Sequence, residues 1–204
     1  DMHQWIRWEE VRPGAYDGEA RVSELDADGI DAEVLYPGAL HRVITSVKDP
    51  ELHHGMVQAY NDWIIEFCAN APDRLGGIIM LPNRGIEGAL AELHRVIDAP
   101  GIVGPLLSCY PNGSLTLEDS DDPLWAAVAE TGKPLNIHVG LIDTAERSIV
   151  AGGAKKLPGS GHFYDAPKRM LELIFAGVFD RYPSLNVVLA EVDCGWIPYF
   201  EDQA

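Results

Sequence analysis

The sequence predicts an α/β fold, a (β/α)8 TIM barrel, on three observations. From residue 20 onward a short aliphatic or β-branched run, a glycine or proline, and a longer segment of helical spacing recur in that order. The strand candidates read as buried on both faces, which is what a parallel sheet covered by helices demands. No GxGxxG or P-loop glycine pattern follows any of them. That removes the usual nucleotide reading of a doubly wound open sheet, the other fold compatible with this repetition.

The first strand is "DAEVLYPG" (31–38), closed by Pro37 and Gly38. In the long segment 49–74, Leu52, Met56, Tyr60, Trp63, Ile64 and Phe67 fall three and four apart and predict one helix face. "LGGIIMLP" (75–82) is the second strand, and Leu90, Leu93 and Ile97 mark the helix of 85–100. "GIVGPLLS" (101–108) is the third strand, demoted or bent by Pro105. In 119–133 aspartates are available to cap a helix that has Pro123 near its first turn. "PLNIHVG" (134–140) is the fourth strand. A helix over 165–184 ending at Tyr182 and Pro183 then leads to the fifth, "LNVVLAEVDCG" (185–195), and another helix begins in "PYFEDQA". The longest irregular stretch, 140–165, exceeds an ordinary βα connection and reads as a lid or binding loop.

The chain of 204 residues, 47% hydrophobic, suits one domain with a substantial core. Fifteen Lys and Arg against 32 Asp and Glu give a net charge of -17, which repels phosphate backbones and anionic headgroups. Nucleic acid and membrane partners are therefore not expected. No apolar run approaches the roughly 20 residues of a spanning helix, and "DMHQWIRWEE" lacks the order of a signal peptide, so the chain reads as soluble and cytoplasmic. Cys68, Cys109 and Cys194 are far apart and form no CxxC pair, so they read as buried, inert thiols.

Two readings stand for His138, two residues before the glycine of its strand. It is either a core histidine with both nitrogens bonded to backbone, or a metal ligand at the barrel mouth, where the active sites of such barrels gather. Glu191 holds the corresponding place one unit later, as ligand, general base or salt-bridge partner; an unpaired carboxylate at the end of a buried strand costs on the order of several kcal/mol. Asp193 reads as a helix cap or loop residue. His53 and His54 read as solvated surface, His94 as part of a charged helix face, and His162 as a loop histidine, while His3 and His41 have no supporting context. No GxSxG elbow occurs, and of the serines only Ser108 ends a strand.

The blocks 21–38, 60–82, "PLNIHVG" and 176–202 resemble, in order and spacing, consecutive blocks of the amidohydrolase-related family. This is the amidohydrolase superfamily branch that holds aminocarboxymuconate-semialdehyde decarboxylase and the resorcylate-type decarboxylases. The resemblance implies a barrel with one divalent metal, zinc first and manganese second. Its ligands would be a His-x-His or Glu-x-His pair on the first strand, a histidine on the fifth and an aspartate on the eighth. His138 matches the fifth-strand ligand.

Under this resemblance the five strands correspond to the second through the sixth. No first-strand pair occurs before residue 20 and no aspartate-bearing eighth strand follows, so 1–204 is expected to be one incomplete barrel domain, the middle of a longer protein. Decarboxylases of the family carry a sixth-strand histidine, in a block like "AHGG", where this chain has Glu191 in "LAEVDCG". Members known only as metal-dependent hydrolases share the glutamate followed by the Trp196 and Pro198 pattern. The expected activity is thus metal-dependent hydrolysis of a small carboxylated or cyclic compound, with Glu191 as acid/base. Non-oxidative decarboxylation stands second, and a non-catalytic barrel serving binding or assembly is the reading from another class. Family members are often dimers, so a homodimer is open.

Overall fold

A computed structural model describes residues 7–38, 40–138 and 161–203 of the chain. Five strands, β1 (Glu33–Leu35), β2 (Leu75–Met80), β3 (Ile102–Leu106), β4 (Leu135–His138) and β5 (Val187–Ala190), form a single sheet in the order β1-β2-β3-β4-β5. Every pairing is parallel. An open doubly wound sheet reverses direction at a switch point; strict sequential order with intervening helices is the progression of a barrel. The described strands are an arc of a (β/α)8 barrel, as the sequence predicts.

Helix α1 (Gly18–Asp28) is capped by Asp17, whose carboxylate accepts from the Ala20 amide at 2.8 Å, and ends at Gly29 in the left-handed region. After β1 come α2 (Leu40–Ser46) and α3 (Pro50–Cys68), the latter capped by Asp49 on the Leu52 amide. Helices α4 (Ile86–Val96) and α5 (Asp122–Thr131) follow β2 and β3. Beyond β4 lie α6 (Gly161–Phe175) and α7 (Val178–Arg181), and α8 (Trp196–Gln203) follows β5. Among the described residues, no helix is long and apolar enough to cross a membrane.

Several expectations are corrected. The helix read over 165–184 is two helices, parted at Gly177, whose φ of 66° only glycine adopts without cost. Arg181 secures the break by donating to the Ala176 carbonyl and to Asp122. Helix α6 begins at Gly161, inside the stretch read as irregular; the rest of that stretch lies outside the described residues, as do the side chain of His162 and all of His3. Burial on both faces holds for β2, and largely for β3 and β4, while β1 and β5 at the sheet's two edges are partly exposed.

The buried face of α3 is rotated from the aliphatic stripe, so that Leu52 and Trp63 are exposed whereas His53 and Asn61 are buried. His53 is no surface residue: Nδ1 donates to the Ile44 carbonyl at 2.9 Å and Nε2 accepts from the Asn83 amide at 3.2 Å. Asn61 extends the β2 edge like a backbone group, its Oδ1 accepting from Met80 N and its Nδ2 donating to Met80 O and Glu92. Of the cysteines, Cys68 and Cys109 are buried but Cys194 is exposed, against the expectation. Burial pushes the Cys68 thiol up to about 11.

Two layers of side chains result. Ile79, Leu107, Ile137 and Leu75 join the helix-facing cluster. Ile78, Gly104, Leu106 and Asn136 pair across β2, β3 and β4 and face the barrel interior. Pro105 does not bar β3 from the centre of the sheet, where it pairs with Ile79 beyond a register shift between Gly77 and Ile78. Gly104 admits the Asn136 amide: a Cβ there would stand 2.7 Å from Asn136 Nδ2 and closer still to Pro134 O.

Candidate active site

The carboxyl ends of the strands bring the chemistry together. His138 is the last residue of β4, two positions beyond Asn136, so both side chains share the interior face. Asn136 is buried and fixed by donation to Pro134 O at 3.0 Å and Pro105 O at 3.3 Å. Its Oδ1 accepts from the Tyr36 hydroxyl at 2.8 Å, which draws Tyr36, just past β1, into the interior. The Tyr36 and His138 rings then lie 5.3 Å apart. Burial raises the Tyr36 pKa, so the phenol stays protonated and able to donate.

Glu191 follows β5 directly. Register pairs His138 with Ala190, one residue earlier, and His138 Nε2 stands 3.2 Å from Glu191 Oε2. The His138 side chain is 15% exposed and that of Glu191 71%. The expected burial of Glu191 is thereby corrected, because the chain turns out of the sheet here: Glu191 has φ 58° and Asp193 φ 60°, the two left-handed non-glycine residues among those described. Asp193 points back to the chain, its Oδ1 accepting from the amides of Cys194 (2.6 Å) and Gly195 (3.3 Å) ahead of α8.

Sequence reasoning missed His41. It sits on α2 after β1, is 3% exposed, and packs edge to face on His138 with ring centroids 5.9 Å apart. Its Nδ1 donates to the Gly38 carbonyl, which leaves the lone pair on Nε2. Burial lowers the His41 pKa, an effect the Gly38 contact opposes and the neighbouring His138 adds to, so the ring is neutral. Its signal in the sequence, a lone histidine three residues beyond the Pro37-Gly38 strand end, becomes visible only once β1 and β4 are known to sit in one interior.

The residues present fit one ligand's share of a metal site. Among the described residues His138 Nδ1 is buried and has no hydrogen-bond partner, and with the Glu191 carboxylate at Nε2 the Nδ1 lone pair is the one left to offer. No cluster of three or more His, Cys, Asp or Glu able to hold a metal occurs among the described residues.

A family model described as Amidohydrolase matches residues 1–203. The gamma-resorcylate decarboxylase of Rhodococcus jostii is 26% identical over 200 residues, which are 92% of this chain and 60% of that protein. The crystal structure of a 2,6-dihydroxybenzoate decarboxylase complexed with 2,6-dihydroxybenzoate superposes with a TM-score of 0.73 at 25% identity, covering 90% of this chain and 58% of the other. The 5-carboxyvanillate decarboxylase of Novosphingobium aromaticivorans, complexed with manganese and 4-hydroxy-3-methoxy-5-nitrobenzoic acid, gives 0.69 at 26%, covering 90% and 51%. The chain thus spans about 60% or less of the length of these relatives.

Proposed function

The chain belongs to the amidohydrolase family, and from that premise we propose that its activity is metal-dependent, non-oxidative decarboxylation of a small carboxylated ring compound bearing hydroxyl groups. The observation that carries this reading is His138, a strand-end imidazole beside Glu191 whose buried Nδ1 has no partner among the described residues, in a chain similar to decarboxylases. Hydrolysis, the first expectation from the sequence, has less support, since the named activities of these relatives are carboxy-lyase reactions. The metal first expected was zinc; a relative crystallised with manganese makes manganese the leading candidate for the divalent ion.

In this reading His138 Nδ1 supplies one ligand, and the ion, when bound, offers a positive charge that grips the substrate's oxygen atoms. Tyr36, held by its hydrogen bond to Asn136, packs against the His138 ring. Glu191 touches His138 at one side and is otherwise open to solvent, which places it to pass a proton between solvent and the site. It delivers a proton to the ring carbon as the bond to the departing carboxylate breaks, releasing carbon dioxide. Glu191 thus takes the place that the family resemblance gives to a histidine in decarboxylases.

The test is to load the full-length protein with Mn2+ or Zn2+ and incubate it with 2,6-dihydroxybenzoate and related hydroxybenzoates, assaying carbon dioxide and the decarboxylated phenol. Release of both supports the proposal. Turnover of lactones or esters with no carbon dioxide from any carboxylated aromatic would return hydrolysis to first place. Full-length protein that retains no metal would favour the non-catalytic barrel.

A further inference from the structure

Four buried polar side-chain atoms lack a hydrogen-bond partner among the described residues: His41 Nε2, Ser108 Oγ, His138 Nδ1 and Arg169 Nε. The first three belong to the carboxyl-end side of the sheet. His41 follows β1, Ser108 lies two residues past the end of β3, and His138 ends β4. Register pairs Leu106 with Asn136, and the Leu107 amide donates to Asn136 O, so continuing the pairing by two residues brings Ser108 to the level of His138. Each unsatisfied buried polar atom costs on the order of 1–3 kcal/mol, and such atoms are uncommon enough that their gathering on one rim calls for a cause. His138 Nδ1 has one in the proposed metal. His41 Nε2 and Ser108 Oγ have none.

We propose that His41 and Ser108 are substrate-contacting residues, His41 Nε2 accepting a hydrogen bond from a ring hydroxyl of the substrate and Ser108 Oγ bonding a second substrate oxygen. The roles follow from the local chemistry. Donation from Nδ1 to Gly38 O fixes the acceptor on Nε2, which rejects a carboxylate or ether oxygen and selects a hydroxyl. Ser108 carries a rotatable hydroxyl that donates or accepts. The contact of the His41 ring with the His138 ring places the hydroxyl subsite next to the residue read as a metal ligand. A site built to bond a hydroxyl rejects the analogue that lacks it, because its buried acceptor is then left unpaired.

This inference rests on the decarboxylase reading, and its test separates the two. Equilibrium binding of 2,6-dihydroxybenzoate and of benzoate, which lacks both hydroxyls, is measured by calorimetry with the full-length, metal-loaded protein and with the variants His41→Phe, His41→Gln and Ser108→Ala. Metal content and thermal unfolding are recorded for each. The expected result is about tenfold weaker binding of the dihydroxy compound to His41→Phe, recovered in part by the Gln amide oxygen, with benzoate affinity and metal content unchanged; Ser108→Ala weakens the same ligand several-fold. Equal losses for both compounds, or none, would overturn the hydroxyl contact while leaving the decarboxylase reading intact. Failure of the unmutated protein to bind either compound would overturn that reading and this inference with it. Should His41→Phe not fold, His41→Gln and Ser108→Ala decide the matter by the same ratio of the two affinities.

Discussion

His138 Nε2 and Glu191 Oε2 lie 3.2 Å apart across the ends of two paired strands, one side chain nearly enclosed and the other mostly in solvent. A carboxylate in that position orients an imidazole, and loss of such a partner costs about 10–100-fold in metal affinity or activity. If Glu191 is also the proton donor, activity suffers more than metal binding does. Glu191→Gln in the full-length protein is therefore predicted to keep its metal within that range and to lose turnover almost completely. Near-native turnover would leave Glu191 an orienting residue only.

For His138→Ala the order reverses. Removing a ligand outright should lower metal affinity by more than the roughly 100-fold attributed to an outer partner, which elemental analysis of the dialysed full-length protein reads directly. Unchanged metal content would leave His138 an ordinary interior histidine with an unexplained orphan nitrogen.

Glu191 also carries a conformational cost. A non-glycine residue at φ 58° is held in the left-handed region against about 1–2 kcal/mol, whereas glycine there costs only chain entropy of about 0.5–1 kcal/mol. Glu191→Gly is thus predicted to raise the midpoint of thermal unfolding slightly, by up to about 1 kcal/mol of stability, while abolishing activity. A residue that weakens the fold and is required for the reaction fits a role at the site. A clear drop in the unfolding midpoint would show instead that the His138 contact stabilises the turn.

The repeating βα pattern made the barrel legible, because burial on both faces leaves so strong a mark on β2, β3 and β4. The placement of His138 and Glu191 at neighbouring strand ends was legible because the sequence runs straight from each strand into them. His41 and His53 were not. Each is buried by a contact distant in sequence, His41 against β4 and His53 beneath Ile44 and Asn83. A helix reading based on aliphatic spacing assigns polar residues to solvent, and it has no means to see a backbone carbonyl or amide that will satisfy them. The exposure of Glu191 escaped for a related reason: the turn out of β5 needs two left-handed residues that are not glycines.

Glycine positions offer a paired test of the packing. At Gly104 a Cβ would press on the Pro134 carbonyl, backbone that cannot move without breaking the sheet. Gly104→Ala is predicted to cost on the order of 1–3 kcal/mol in urea unfolding. Gly88, inside α4, has open space where an alanine methyl would stand, with no atom within 4 Å, and Gly88→Ala should gain about 0.5–1 kcal/mol from helix propensity. Equal effects of the two substitutions would contradict the inward placement of Gly104.

The acid limb of stability should report on His53. Burial is the main cause that lowers its pKa, with the Ile44 carbonyl opposing and Arg84 and His54 adding to the shift. A folded value below the unfolded one, near 6.5, means that the unfolded chain binds more protons between the two. Stability then rises with pH through that window: it is complete above about 6.5 and is lost as pH falls toward the folded value. Comparing urea midpoints at intervals from about pH 7.5 to 5, the unmutated protein should show a steeper loss than His53→Gln, which has no proton to take up. Gln keeps one donor for Ile44 O and one acceptor for Asn83 N on a more flexible side chain, so the variant starts from a slightly lower midpoint at the alkaline end. His41, similarly lowered by burial, leaves a residual slope in both proteins. Parallel curves would mean that His53 is protonated as readily in the folded protein as in the unfolded one, and that its two hydrogen bonds do not hold it neutral.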